Sequence, residues 1–192
     1  PLLACSILAL SVVIERAIFW IRLGIQSQPT LVDEILELAR QGDWESIKNK
    51  TVHTKDYIIK ILVSGILHKE FSMIKAMEAA AADEIKHMRR FMGVLDTMIT
   101  VAPLLGIFGT VLGIISSFEM LGSAGIEHPQ EVTSGIAQAL ITTAAGLGIA
   151  ILSVFPYNYF NSRVENAAML IEKYATSLEI VFEKLTQPGG KN

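Results

Sequence analysis

The sequence has a single cysteine, Cys5, so no disulfide can form within the chain and a stapled secreted scaffold is excluded. Charge is scarce as well. Asp, Glu, Lys and Arg make up 18% of the residues, against roughly a quarter in soluble domains. The formal net charge of −3 carries no basic excess, which excludes a nucleic-acid-binding domain. His53, His68, His87 and His128 are scattered without metal-ligand spacing. No zinc pattern, nucleophile elbow or dinucleotide fingerprint is present, and Gly106–Thr110 is no phosphate loop because no lysine follows it. With no candidate nucleophile or acid–base constellation, the chain reads as neither an enzyme nor a cofactor binder.

The absences matter most by position. No charged residue occurs between Thr97 and Phe118, and none between Thr133 and Ser162. Each run exceeds the roughly 20 residues that cross a ~30 Å hydrocarbon core at ~1.5 Å per residue. A third stretch, Pro1–Leu23, is apolar apart from Glu15, Arg16 and Arg22. It is too charged at its end for a signal-peptide core and has no small-residue cleavage site after it. The chain opens on Pro1 rather than Met, so the first span is expected to begin upstream. Three transmembrane helices are therefore predicted, at 1–21, 97–120 and 134–157.

The lysines and arginines orient them. Arg22, Arg40, Lys48, Lys50, Lys55, Lys60, Lys69, Lys75, Lys86, Arg89 and Arg90 all fall in the segment 22–96. The connection 121–133 has no Lys or Arg, only Glu127 and Glu131, while the tail 158–192 has Arg163, Lys173, Lys184 and Lys191. The positive-inside rule puts the long segment and the tail in the cytoplasm and the short connection outside, with the N-terminus also outside. Within the cytoplasmic segment, Thr30-Leu31-Val32-Asp33 reads as an N-cap opening a helix through Arg40, with Leu31, Ile35, Leu38 and Ala39 on its apolar face and Gly42-Asp43 ending it. From Thr54 to Arg90 there is no proline and little glycine, so one long helix running into the second span is expected. A helical tail through Leu185 should follow the third span, fraying at Pro188-Gly189-Gly190. Such helices are expected to bundle with one another or with neighbouring subunits rather than close a separate domain.

In the second span, Thr100, Pro103, Gly106, Thr110, Gly113 and Ser117 recur at helical spacing as a stripe of small and weakly polar residues. In the third, Gly135, Gln138, Thr142, Gly146 and Ser153 lie near one face, with Thr143 one residue round. One reading is close helix packing, for which Gly109 and Gly113 form a small-xxx-small pair. The other is a narrow polar path with the Thr110 hydroxyl near mid-membrane. Hydroxyls can relay a proton or help coordinate a small cation, but they carry no charge at neutral pH. No Asp, Glu, His or Lys lies near the centre of either span, and Glu119 sits at the outer end. If ions cross here, the titrating carboxylate must come from another chain. Glu15 and Arg16 read as a snorkelling or helix-pairing pair, with a proton relay as the alternative. Cys5 reads as a small apolar contact, and Met73, Met77 and Met88 as bundle packing.

The run APLLGIFGTVLGIISSF from Ala102 to Phe118 closely resembles the second-span motif of the ExbB/TolQ/MotA proton-channel family. The run GIAQALITTAAGLGIAI from Gly135 to Ile151, with Tyr157-Asn158 after it, resembles the third-span motif, and Ile14-Glu15-Arg16 the first. Three spans with a modest cytoplasmic insertion look like the ExbB/TolQ branch rather than the four-span MotA. The resemblance implies an all-α membrane protein assembling as a homopentamer around a central pore formed by the second and third spans. It also implies an ExbD/TolR-like single-span partner inside the pore, whose aspartate carries the proton, and a TonB- or TolA-like protein beyond it. The family's pore threonines map onto Thr110 and Thr143, with Thr142 and Gln138 beside them. Pro103, Gly106, Gly109, Gly113 and Gly146 would pack the pore helices. Two positions depart from the pattern. Gln138 stands where the branch usually has glutamate, and Leu152 where it usually has proline, with Pro156 one turn later. The expected role is the pore and stator subunit of a proton-driven motor in a bacterial inner membrane, with sodium as the other possible ion. A passive membrane scaffold is the rival.

Overall fold

A computed structural model describes residues 1–124 and 129–186. Every described element is an α-helix: α1 (Leu2–Gln26), α2 (Pro29–Gln41), α3 (Trp44–Thr51), α4 (Tyr57–Leu67), α5 (Met73–Met88), α6 (Met92–Ala124) and α7 (Pro129–Thr186). Three of them, α1, α6 and α7, are long and apolar enough to cross a membrane. Residues 125–128, the middle of the expected outer connection, and the Pro188-Gly189-Gly190 end lie outside the described residues. The chain divides into two compact units. One comprises Pro1–Ala17 and Phe91–Asn161, the other Ile18–Arg90 and Ser162–Asn192.

The first unit holds the apolar parts of α1, α6 and α7, and its burial pattern is the reverse of a soluble core. Only 17% of the most apolar window of α6 is buried, while Leu104, Ile107, Phe108, Leu112, Ile115 and Phe118 stand exposed. Within the spans 97–120 and 134–157 the residues turned inward are small, among them Ala102, Gly106, Ser117, Ala139 and Gly146, while the large buried residues Met92, Leu95 and Phe160 lie beyond them. Large apolar side chains outside and small ones inside suit a lipid solvent, where packing rather than burial drives helix association. Pro103 and Pro156 are carried inside α6 and α7 without ending either helix. In lipid such prolines are tolerated where neighbours re-satisfy the freed backbone.

The second unit has a conventional core. Nearly every face of α4 is buried, through Tyr57, Ile58, Ile59, Ile61, Leu62 and Ile66, while α2 contributes Val32, Ile35 and Ala39. The end of α7 supplies Val164, Ile171 and Leu178. Gly65 lets α4 and α5 approach, since a Cβ there would sit 2.5 Å from the Met77 Cγ. These helices thus close a core of their own, correcting the expectation that they could not. Dense aliphatic α4 makes this possible; it is short, but apolar on every face except that of Lys60.

Two further expectations are corrected. The single helix expected from Thr54 to Arg90 is broken twice, at residues 68–72 and 89–91. No proline or glycine marks either break. At the first, the His68 N–H turns back to the Gly65 carbonyl and the Lys69 N–H to the Ile66 carbonyl, and the Ser72 hydroxyl caps α5 by accepting from the Lys75 N–H. At the second, Phe91 adopts a left-handed backbone with φ 63°, uncommon for a bulky residue. The other concerns α2, which starts at Pro29 with Gln28 as its cap, not at Thr30. Proline fits the first helical position because its missing N–H would have no partner there. Val32 replaces Leu31 and Leu38 on the buried face, and Gly42 ends the helix in the left-handed conformation as its position suggests.

Asp56 ties these short helices together. Its carboxylate, 1% exposed, accepts from the Ile58 N–H at 2.8 Å, the Ile59 N–H at 3.3 Å and the Gln28 N–H at 2.7 Å. One side chain thus caps α4 and fixes the start of α2. Asp56→Ala should cost roughly 3 kcal/mol, because buried donors left unsatisfied cost about 1–3 kcal/mol each before relaxation. Asp56→Asn, which keeps an acceptor, should cost about 1 kcal/mol. Thermal and denaturant unfolding of the purified protein in detergent checks both. Equal losses for the two variants would show that the acceptor is not what matters.

Candidate functional site

The site is built where α6 and α7 meet in the first unit. Glycine sets their separation. A Cβ on Gly106 would lie 2.9 Å from the Thr142 carbonyl oxygen and 3.1 Å from the Thr143 Cα. One on Gly146 would lie 2.5 Å from the Ala102 carbonyl oxygen and 3.0 Å from the Gly106 Cα. Gly109 faces Thr142 and Gly113 faces Ala139, each at under 3 Å from a virtual Cβ, and Gly135 faces Ser117. The backbones of the two helices therefore touch along a continuous seam, the arrangement small residues permit in membranes.

Three hydroxyls point into this seam. Thr110 Oγ1 reaches the Ala139 carbonyl at 2.9 Å, the Gly106 carbonyl at 3.1 Å and the Thr143 hydroxyl. Thr143 donates to the Gly106 carbonyl at 3.1 Å. Thr142 reaches the Ala139 carbonyl at 2.7 Å and the Gly106 carbonyl at 3.3 Å. Two carbonyls thus serve three hydroxyls. Each hydroxyl has one proton to donate, so several donor patterns are compatible with the same positions. All three threonines remain half-exposed, so each hydroxyl is held by the seam without being sealed in it.

The structure brings together most of the residues marked in the sequence. Thr110, Thr142, Thr143, Gly106, Gly109, Gly113 and Gly146 all lie in the seam. Sequence spacing ranked Thr142 above Thr143, whereas both reach it, and Thr143 alone bonds Thr110 directly. Gln138 is exposed, off the seam, and Pro103 is half-buried. Thr100 is exposed and bonds back to the Thr97 carbonyl at 3.0 Å, outside the seam. Sequence reasoning passed over Ala102 and Ala139, which are 0% and 2% exposed. Their signal was available, since Ala102, Gly106, Gly109 and Gly113 recur at spacings of three and four, as do Gly135, Ala139, Thr142 and Gly146.

Arg16 and Glu15 lie away from the three hydroxyls. Arg16 is 2% exposed and grips Glu15 with two charge-assisted bonds, Nε to Oε2 at 2.5 Å and Nη2 to Oε1 at 2.6 Å. Its guanidinium also lies 5.8 Å from the centre of the Phe91 ring, a cation–π contact with the residue that precedes α6. Among the described residues no group of histidine, cysteine, aspartate and glutamate could hold a metal ion.

A family model described as the MotA/TolQ/ExbB proton channel family matches residues 53–173. The biopolymer transport protein ExbB-like 3 of Synechocystis sp. is 33% identical over 191 residues, covering 96% of this chain and 90% of that protein. The Tol-Pal system protein TolQ of Pseudomonas aeruginosa is 40% identical over 102 residues, which is 53% of this chain and 43% of that protein. The biopolymer transport protein ExbB of Aquifex aeolicus is 38% identical over 79 residues, 41% of this chain and 53% of that protein.

The seam makes a specific demand on glycine. Gly146→Ala should force α6 and α7 apart and cost about 1–3 kcal/mol, as overpacking does. Gly148→Ala meets nothing within 4 Å and should be neutral or slightly stabilising, because alanine is the better helix former. Thermal midpoints in detergent compare the two, and similar shifts would mean that the seam is not tight.

Proposed function

The chain belongs to the MotA/TolQ/ExbB proton channel family, and from that premise we propose that it is the pore and stator subunit of an ion-driven motor in a bacterial inner membrane. The observation that carries this reading is the pairing of Thr110 and Thr143 across two spans with no Asp, Glu, His or Lys near their centres. A hydroxyl can donate to a carboxylate and accept from a carboxylic acid. It therefore solvates both forms of a carboxyl group that passes it. A side chain with a fixed charge would favour one form and hold it.

In this proposal the carboxyl group belongs to an ExbD/TolR-like partner with one span, enclosed by a pentamer of this chain. Thr110 and Thr143 face the partner's aspartate, with Thr142 beside them and Gln138 as a hydrogen-bonding neighbour that cannot take up a proton. Protonation lets the partner's aspartate cross the apolar wall, and its release on the other side completes a step. Each proton moved down a potential of 100 mV supplies about 2.3 kcal/mol. That work would pass through the partner to a TonB- or TolA-like protein in the envelope. The distribution of Lys and Arg supports an outer N-terminus and a cytoplasmic C-terminus. Sodium is the rival ion, since hydroxyls and carbonyls also suit a small cation.

One observation favours the scaffold reading. The three hydroxyls already have carbonyl partners within the chain, as they would if they only tied α6 to α7. The two readings differ in what the hydroxyl does. Thr110→Val and Thr143→Val keep the shape of the residue and remove that group. The motor reading expects each to lower proton flux at least tenfold in proteoliposomes of the complex, with the partner still co-purifying. Thr→Ser at the same positions should keep most of the flux. Unchanged flux in both valine variants would leave the scaffold reading standing.

A further inference from the structure

A cluster of cations stands apart from the seam, at the joint between α5 and α6. Lys86, His87, Arg89 and Arg90 line one open cavity of about 1110 Å³ with Ala82, Asp83 and Ile85. Lys86, Arg89 and Arg90 are exposed. Cations in a last helical turn complement the helix dipole. That accounts for a cation near the end of α5, but not for three opening onto one cavity with a single carboxylate among them.

The position of the cluster along the chain is the second observation. The charge-free run of α6 begins at Thr97, and only Met92–Asp96 separate it from the joint. Five helical residues rise about 7 Å. The headgroup zone is roughly 5–7 Å deep on each side of the hydrocarbon core. Arg89 and Arg90 thus sit at the outer edge of that zone, and long stems let their charged ends reach into it. A guanidinium offers paired donors to a phosphate, and an ammonium adds a point charge.

We infer that Lys86, Arg89 and Arg90 form a binding site for the phosphodiester headgroup of an anionic phospholipid, fixing the α5–α6 joint at the membrane surface. The cavity, which Asp83 also lines, is large enough for the phosphate and its glycerol. Arg90 has other interactions within the chain, so Lys86 and Arg89 are the residues to test. The site is independent of whether the chain conducts ions.

The full chain is reconstituted in nanodiscs of phosphatidylcholine with a minor fraction of phosphatidylglycerol, and retained lipid is counted by native mass spectrometry. The wild type should retain phosphatidylglycerol in preference to phosphatidylcholine. Affinity should fall about fivefold in Arg89→Gln and about 25-fold in Lys86→Gln/Arg89→Gln, following the contribution of one basic residue at a membrane surface. Arg89→Lys should keep most of it, and far-UV circular dichroism should report the same helix content in all four proteins. Retention of phosphatidylglycerol by the double variant at the wild-type level would overturn the proposal. So would an absence of preference in the wild type. Displacement of the lipid by millimolar inorganic phosphate would also overturn it, because the site would then be one for soluble phosphate. If the double variant fails to fold, Arg89→Gln, a change at one exposed side chain, decides.

Discussion

Contact between the backbones of Gly106 and Gly146 is the constraint on which the membrane-embedded unit depends. Any side chain there would separate α6 from α7, since a Cβ on either glycine meets backbone atoms of the other helix at 3.1 Å or less. Separation would in turn take the hydroxyls of Thr142 and Thr143 out of reach of the Gly106 carbonyl, and Thr110 out of reach of Ala139. Packing and hydrogen bonding are thus one arrangement rather than two. In water the apolar effect could hold a looser pair together. In lipid the outward-facing leucines and isoleucines gain nothing by turning inward, so close fit and hydrogen bonds must do it.

The same solvent argument explains the charges. Arg16 lies in an otherwise apolar helix, nearly fully buried, where an unpaired guanidinium would be costly. Its two bonds to Glu15 neutralise it locally, and the face of Phe91 supplies a further favourable contact. Phe91 itself holds a left-handed backbone, which costs of order 1–3 kcal/mol and persists only where surrounding structure enforces it. The Arg16 guanidinium and the Phe91 ring meet, so α1 has a contact with the residue that precedes α6.

Legibility followed the strength of each local signal. Two of the three apolar helices could be read directly, because absence of charge over twenty or more residues has few other causes, while α1 was read from its apolar run despite Glu15, Arg16 and Arg22. The threonines and glycines of the seam were legible from their spacing, although the spacing alone tilted the face by one residue and missed Ala102 and Ala139. An alanine among apolar residues looks like filler until the opposite helix is in place. The breaks at residues 68–72 and 89–91 were hidden for another reason. They depend on a serine cap and on a left-handed phenylalanine, and neither gives the proline or glycine signal by which a helix end is usually recognised. The compact second unit was underestimated because α4 is too short to show its burial as a periodic pattern.

On the proposed reading, the seam's chemistry bears on why the spans hold hydroxyls rather than a carboxylate near their centres. A carboxylate fixed in α6 or α7 would have its own proton affinity, and a mobile acid passing it would meet a competitor. Two acids sharing a site ionise in coupled steps, with one held protonated by the other. Hydroxyls avoid that competition. Thr110 can point its proton to Ala139, Gly106 or Thr143 with little movement of its oxygen, which leaves a lone pair free, or turn that proton from them to a neighbour. On that reading the wall responds to either protonation state without choosing between them. Rigid glycine packing and an adaptable hydroxyl therefore serve the same end. The backbones stay fixed, and only hydrogen atoms have to turn.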